Sequence, residues 1–125
     1  MTLQYTVSNG DICISDKNDV VLTIQEVVPE EGKKQVVVSL SGSLRSDAVV
    51  WVEEELNAFV TLKYDILVDM RNISYISVSA QRCFLDLQRY ADRIGGGIMV
   101  LKVPDGSLYA GLEETGLTEL LRIER

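Results

Sequence analysis

The most consequential absence from this 125-residue sequence is histidine, of which there is none. Without histidine, no Ser-His-Asp or Cys-His nucleophilic site, imidazole base or histidine-ligated metal can form. The two cysteines, Cys13 and Cys83, form no Cys-x-x-Cys pair, and we interpret Cys83, which falls on the apolar stripe of a predicted helix, as a packed thiol. No glycine-rich phosphate loop of either common type occurs. The sequence therefore predicts no catalytic residue, metal or cofactor.

Clustered positive charge and long apolar runs are also missing. The net charge is -7, from 12 Lys and Arg against 19 Asp and Glu, and no basic run of five or more occurs. Nucleic acids and anionic membrane surfaces bind proteins through clustered Lys and Arg side chains, so both are poor partners for this chain. No apolar stretch approaches the roughly 20 residues of a membrane-spanning helix, and the first residues lack the pattern of a signal peptide. We expect one cytoplasmic domain without direct membrane insertion.

What is present begins with β-rich segments separated by turn residues. Asn9-Gly10 between residues 3–7 and 12–15 predicts a hairpin, because both turn residues accept positive φ. Residues 20–28 and 36–41 predict an antiparallel pair joined by a turn over residues 29–34. Two near-continuous apolar runs then predict strands covered by helices, at residues 64–70 and 98–103.

Helical periodicity alternates with these later strands. Ser46 is a candidate N-cap for a helix over residues 47–61, and a second helix is predicted over residues 79–94. Trp51 lies off the apolar stripe of the first helix, so it either packs under the N-terminal hairpin or anchors a partner interface. Short elements are predicted at residues 107–114 and 117–123.

This order of elements predicts an α/β fold with a mixed sheet of four to five strands and helices packed on it. Strands joined through helices must pair in parallel, by right-handed crossovers. Residues 1–19 are predicted to be an N-terminal β-hairpin extension, and residues 20–125 the main domain. Because an Asn-Gly hairpin on a sheet edge can pair with a second chain, a homodimer is left open.

Residues 36–123 resemble the STAS domain family, which includes the anti-sigma factor antagonists. Three segments carry the resemblance, and they occur in the family's order: Gly42-Ser43-Leu44, residues 66–76 (ILVDMRNISYI) and residues 115–121 (TGLTELL). The resemblance implies a STAS-like fold and a protein-interaction domain without catalytic activity. The partner that it implies is an anti-sigma factor that is also a serine kinase.

The sequence departs from the antagonist branch at the phosphorylation motif. That branch has Asp-Ser-[Ser/Thr]-[Gly/Ala] where this chain has Ser77-Val78-Ser79-Ala80, so the position of the phosphoacceptor is occupied by Val78, which has no hydroxyl. In one interpretation, Ser79 takes the phosphate one residue later, where a helix N-terminus tolerates an anion. In the other, Ser77 and Ser79 only cap the helix, and Val78 keeps the surface permanently apolar.

Two functions stay open on this basis. The leading one is an anti-sigma factor antagonist that regulates sigma-factor-dependent transcription. The alternative is an accessory STAS subunit of a lipid or anion transport assembly, where the switch motif is often degraded. An enzyme or nucleotide-binding protein has little support. Beyond the switch motif, the residues that we expect to contact the partner are Ser43, Ser74, Tyr75, Gln81, Arg82 and, in its interface interpretation, Trp51.

Overall fold

A computed structural model describes residues 3–16, 20–27 and 34–125. The predicted turn over residues 29–34 therefore lies, except for Lys34, outside the described residues. Seven strands and four helices follow one another along the described chain. In order they are β1 (Gln4–Ser8), β2 (Asp11–Ser15), β3 (Val20–Val27), β4 (Gln35–Leu44), α1 (Ser46–Thr61), β5 (Asp65–Ile76), α2 (Val78–Ile94), β6 (Met99–Lys102), α3 (Ser107–Glu114), α4 (Leu117–Leu120) and β7 (Ile123–Glu124).

All seven strands belong to one sheet, in which they lie side by side in sequence order. Strands β1 to β4 pair antiparallel, whereas β4 to β7 pair in parallel. The three parallel connections step in one direction, and right-handed crossovers therefore place their helices on one face of the sheet. The predicted mixed α/β fold is confirmed, but the predicted four to five strands are too few.

The two additional pairings explain that difference. The turn forms as predicted, with φ values of 53° at Asn9 and 85° at Gly10. However, β2 also pairs with β3, from Ile12 opposite Ile24 to Ser15 opposite Val21, so the hairpin continues the main sheet. At the other end, the element predicted over residues 117–123 divides into α4 and β7, and β7 pairs with β6. Local sequence indicates a strand but does not indicate which strand will lie beside it.

The core lies between the sheet and the helix layer. Along β4, Val36, Val38 and Leu40 are buried, whereas the residues between them point to the helix-free face and are half-exposed. Helix α1 buries Leu56 completely, and α2 buries Phe84. Both predicted helices are confirmed, and each begins one residue earlier than predicted, so Arg45 rather than Ser46 is the N-cap of α1.

The ends of β4 and β5 extend further than the apolar runs indicate. Strand β5 continues to Ile76, and β4 continues through Gly42 to Leu44, with two register shifts between the paired strands. Residues 71–76, which follow the predicted strand over residues 64–70, therefore also belong to the strand, because backbone pairing with β4 does not require apolar side chains. Within the described residues, none of the helices has the length and apolar character to cross a membrane.

Candidate functional site

The residues of the predicted site meet at one end of the sheet, where β4 and β5 finish and α1 and α2 begin. The hydroxyl groups of Ser43 and Ser74 lie 3.2 Å apart, and the Ser74 hydroxyl also donates to the carbonyl oxygen of Gly42 at 3.2 Å. A serine hydroxyl has one hydrogen, so Ser43 must be the donor to Ser74. These bonds join the two strands where their register shifts.

The N-terminus of α2 is fixed to this end of the sheet by Ser77. Its amide donates to the carbonyl oxygen of Leu44 at 2.8 Å, and its side-chain oxygen accepts a hydrogen bond from the Ala80 amide at 3.1 Å. Ser77 is therefore the N-cap of α2. Its side chain is buried, which removes it from reach of an external enzyme.

Ser79 extends this arrangement into a chain of three hydroxyls. Its oxygen lies 3.0 Å from that of Ser77, and its hydrogen is donated to Ser46, the first residue of α1, at 3.3 Å. Unlike Ser77, Ser79 is exposed. An anion on Ser79 would lie in the first turn of α2, where the helix dipole and free amides favour negative charge.

Two apolar side chains project from the same region. Val78, the first residue of α2, is 77% exposed, and Tyr75 at the end of β5 is 52% exposed. The guanidinium of Arg45 lies over the Tyr75 ring, 5.9 Å from its centre. Val78 makes the exposed tip of the site apolar, and Arg45 supplies positive charge beside it.

Two shallow grooves border Val78 and Tyr75. One, of about 200 Å³, contains Val78, Arg82 and Leu85, and the other, of about 220 Å³, contains Tyr75 and Leu108. Both also touch Gln81, which lies between them. The grooves give the exposed side chains a concave neighbourhood in which a partner's side chains could fit.

Gln81 and Trp51 differ from the prediction. Gln81 is buried, and its amide oxygen lies 3.2 Å from the donor hydroxyl of Thr115. We therefore correct its role from direct contact to support, because a buried and bonded amide offers little surface. Trp51 is 4% exposed, so the interpretation of it as an exposed interface anchor is wrong. Glu55, one helical turn later on the same side of α1, accepts a hydrogen bond from Tyr5 at 3.2 Å, so Trp51 lies on the side that faces the N-terminal hairpin.

Sequence reasoning missed several residues around this site. Ser46 was recognised only as a helix-start residue and Arg45 was not recognised, and Leu85, Leu108 and Thr115 join the site through the packing of α2 and α3. Although Ser46 was a cap candidate and Thr115 opens the TGLTELL segment, nothing in the sequence places these residues in the site, because they are brought together only by the crossover connections. Within the described residues, no group of three or more acidic or cysteine side chains is placed to hold a metal ion.

The fold of this chain is also found in proteins of known structure. No protein-family model matches the chain, and no curated protein matches it either. Solved structures do match. The anti-sigma factor antagonist SpoIIAA in its unphosphorylated form is 17% identical, with a TM-score of 0.63 over 82% of this chain and 88% of that one.

Two further structures agree. The phosphorylated form of SpoIIAA, a Bacillus cell fate determinant, is 19% identical, with a TM-score of 0.57 over 82% of this chain and 91% of its own. An anti-sigma factor antagonist from Mycobacterium paratuberculosis is 16% identical, with a TM-score of 0.61 over 80% of this chain and 84% of its own. At these identities the likeness concerns architecture. The chain therefore has the STAS-type fold of the anti-sigma factor antagonists.

Proposed function

We propose that this chain is a non-catalytic, cytoplasmic interaction domain that acts as an anti-sigma factor antagonist. It binds an anti-sigma factor that is also a serine kinase, and by sequestering this partner it regulates sigma-factor-dependent transcription. The shared fold supports this class of function. The observation that carries the proposal is the 77% exposure of Val78 in the first turn of α2, because a large apolar side chain held outward on a helix start is suited to a protein partner.

The docking surface that we propose consists of Ser43, Ser74, Tyr75, Val78 and Arg82. The first two provide hydroxyls at the strand ends, Tyr75 and Val78 provide apolar contact, and Arg82 provides charge beside the groove of Val78. The chain's net charge of -7 favours a basic partner face and raises the association rate more than the affinity.

Val78 determines how such a domain would be regulated. At the position where the antagonists carry their phosphoacceptor, valine cannot be phosphorylated, so the docking surface stays apolar whatever the kinase does. In this form of the proposal, the domain binds constitutively, and its control lies in its abundance or in its partner.

Ser79 offers a second form, in which regulation is retained one residue later. The side chain is exposed and its hydroxyl bonds only to other hydroxyls in the described part of the chain, Ser77 and Ser46. A phosphate there would add about -1.5 to -2 charges beside Val78 without displacing the N-cap. It would oppose docking by charge and bulk while leaving α2 intact.

The decisive experiment compares two valines of similar exposure. Val78→Asp places a charge in the docking surface, whereas Val50→Asp places the same charge on α1 at a residue that is 65% exposed and outside that surface. Aspartate in the first turn of a helix is favourable, so Val78→Asp should not weaken the fold. Binding is measured by calorimetry with the anti-sigma factor kinases of the source genome.

We expect Val78→Asp to raise the dissociation constant at least about tenfold, equivalent to about 1.4 kcal/mol, and Val50→Asp to leave it within about twofold. Equal affinities of the two variants would refute the docking surface. Failure of the native chain to bind any of these kinases would refute the proposed partner. Mass spectrometry of the native protein distinguishes the two forms of regulation, since only the second requires phosphate on Ser79.

A second candidate is an accessory subunit of a lipid or anion transport assembly. The replacement of the phosphorylation motif by Ser77 and Val78 favours it, because such subunits do not need the switch. The two candidates differ in what co-purifies with the tagged chain from the source organism. Recovery of transport proteins with unmodified bait would support the subunit, and recovery of a kinase-type anti-sigma factor would exclude it.

A further inference from the structure

The two edges of the sheet are protected very differently. Strand β7 is two residues long, lies between Arg122 and Arg125, and carries Glu124, which pairs with Lys102 at 3.7 Å. Short length and charge are the usual protection of an edge strand. Strand β1, with the sequence QYTVS, has five exposed residues and no charge, proline or bulge, in a chain of net charge -7. Among the described strands, β2 is the one that pairs with β1, so the outer edge of β1 is available to another strand.

The backbone groups at this edge follow from the turn. A two-residue turn with positive φ at both positions closes with a hydrogen bond between Ser8 and Asp11. Bonded and non-bonded pairs then alternate along an antiparallel ladder. The amides and carbonyls of Gln4, Thr6 and Ser8 therefore face β2, and those of Tyr5 and Val7 point away from the sheet.

The side chains of Tyr5 and Val7 also lack cover. Both lie on the face of the sheet that carries the helices, but they are 57% and 72% exposed, and Ile12, opposite Val7, is 39% exposed. The nearest helix, α1, is joined to β1 by the hydrogen bond between Tyr5 and Glu55, and its Phe59 lines a cavity beside Ile12. An apolar strip thus runs beside backbone groups that have no strand partner in the described ranges 3–16, 20–27 and 34–125.

We propose that two copies of the chain associate through their β1 strands, antiparallel, with Thr6 on the twofold axis. The twofold axis could pass through Tyr5, Thr6 or Val7. Only the axis at Thr6 pairs all five residues of β1 with β1 of the second copy. It places Tyr5 opposite Val7 of the second copy, and Gln4 opposite Ser8 of the second copy. Because Tyr5 and Val7 carry the outward backbone groups, the two pairs exchange four hydrogen bonds.

The side chains in this register suit one another. Each tyrosine meets a valine on the helix-bearing face, and the two copies of Thr6 meet on the other face. Aromatic with β-branched and threonine with threonine are favourable cross-strand pairs. No charged residue faces another across the contact. Because five paired residues make a small interface, we expect a dissociation constant on the order of micromolar or weaker.

Site-directed cross-linking tests the register without any other partner. Residues directly opposite in a non-hydrogen-bonded pair have Cα atoms about 4.5 Å apart, within the range for a disulfide. Thr6→Cys should therefore cross-link two copies. Ser8→Cys, on the same face of β1, is the control, since its two copies would lie about 14 Å apart. Both are made with Cys13→Ser, because Cys13 is paired with Thr6 within one chain.

After incubation with oxidised glutathione, non-reducing electrophoresis should show a band of twice 13.9 kDa for Thr6→Cys and a single-chain band for Ser8→Cys. In sedimentation, the native chain should double its mass as its concentration rises, and Val7→Pro, which removes only outward-facing amides, should raise the dissociation constant more than about tenfold. Cross-linking at both positions or at neither, or a native chain that stays monomeric at about 1 mM, would overturn the proposal.

Discussion

The middle of the sheet and its N-terminal hairpin are built from similar residues, but only the middle has a packed core. The inward apolar side chains of β3 to β6 are buried, whereas every residue of β1 is exposed. The cause is the strand direction. Parallel strands require crossover connections, and these bring the helices, whereas antiparallel strands need only turns. Burial on the helix-bearing face reaches Ile14 in β2, whereas Tyr5, opposite it in β1, is 57% exposed. The strand farthest from the crossovers, β1, is thus left without helix cover.

The largest expected effect comes from removing a side chain under the helix layer. Leu56→Ala in α1 deletes a fully buried side chain and should lower the free energy of unfolding by about 2 to 5 kcal/mol. Val7→Ala removes a side chain that is 72% exposed and should change it by less than about 0.5 kcal/mol. Urea denaturation at low protein concentration, where the chain is monomeric, measures both. Similar losses for the two variants would contradict the division between middle and hairpin.

An intermediate effect is expected at the start of α2. Ser77→Ala removes the acceptor of the Ala80 amide and should cost about 1 kcal/mol. Ser79→Ala loses only exposed bonds between hydroxyls and should cost less than about 0.5 kcal/mol. The same denaturation curves decide between them. A larger cost for Ser79→Ala would mean that the contact with Ser46, rather than the cap, holds α2 against α1.

Sequence alone predicted the parts of this fold that depend on short-range pattern. The turn at Asn9, both long helices and the parallel strands follow from residue type and periodicity. The strand count was wrong because local sequence does not show that β2 pairs with β3 or that a short strand beside β6 ends the chain's fold. The burial of Trp51 could be predicted only in part. The helical period shows that Trp51 lies off the apolar stripe of α1, but it does not show that the residue is buried on the side facing the hairpin. Within the site, Ser43 and Ser74 were predicted from the family resemblance, but their hydrogen bond depends on the register shifts of β4 and β5.

The smallest expected effect concerns the helix-free face of the sheet, where the side chains of the central strands are only half-buried. Asp69 in β5 points to that face and is bonded to Arg71, with 2.7 Å between the closest atoms. The hydrogen bonds and charge of Arg71 lower the pKa of Asp69 below its ordinary value. A carboxylate with a lowered pKa stabilises the fold above its unfolded pKa, and this contribution is lost as the pH falls through the folded pKa.

We therefore expect Asp69→Asn to lower the free energy of unfolding at neutral pH, by less than about 1 kcal/mol because Arg71 is 59% exposed. The difference between variant and native chain should shrink as the pH falls below the ordinary pKa of aspartate, and vanish once Asp69 is protonated in both states. Urea denaturation from neutral to acid pH measures this. A difference that stays constant with pH would mean that Asp69 acts through its shape and hydrogen bonds alone. The helix-free face would then contribute no charge stabilisation, and the contrast between middle and hairpin would rest on helix cover only.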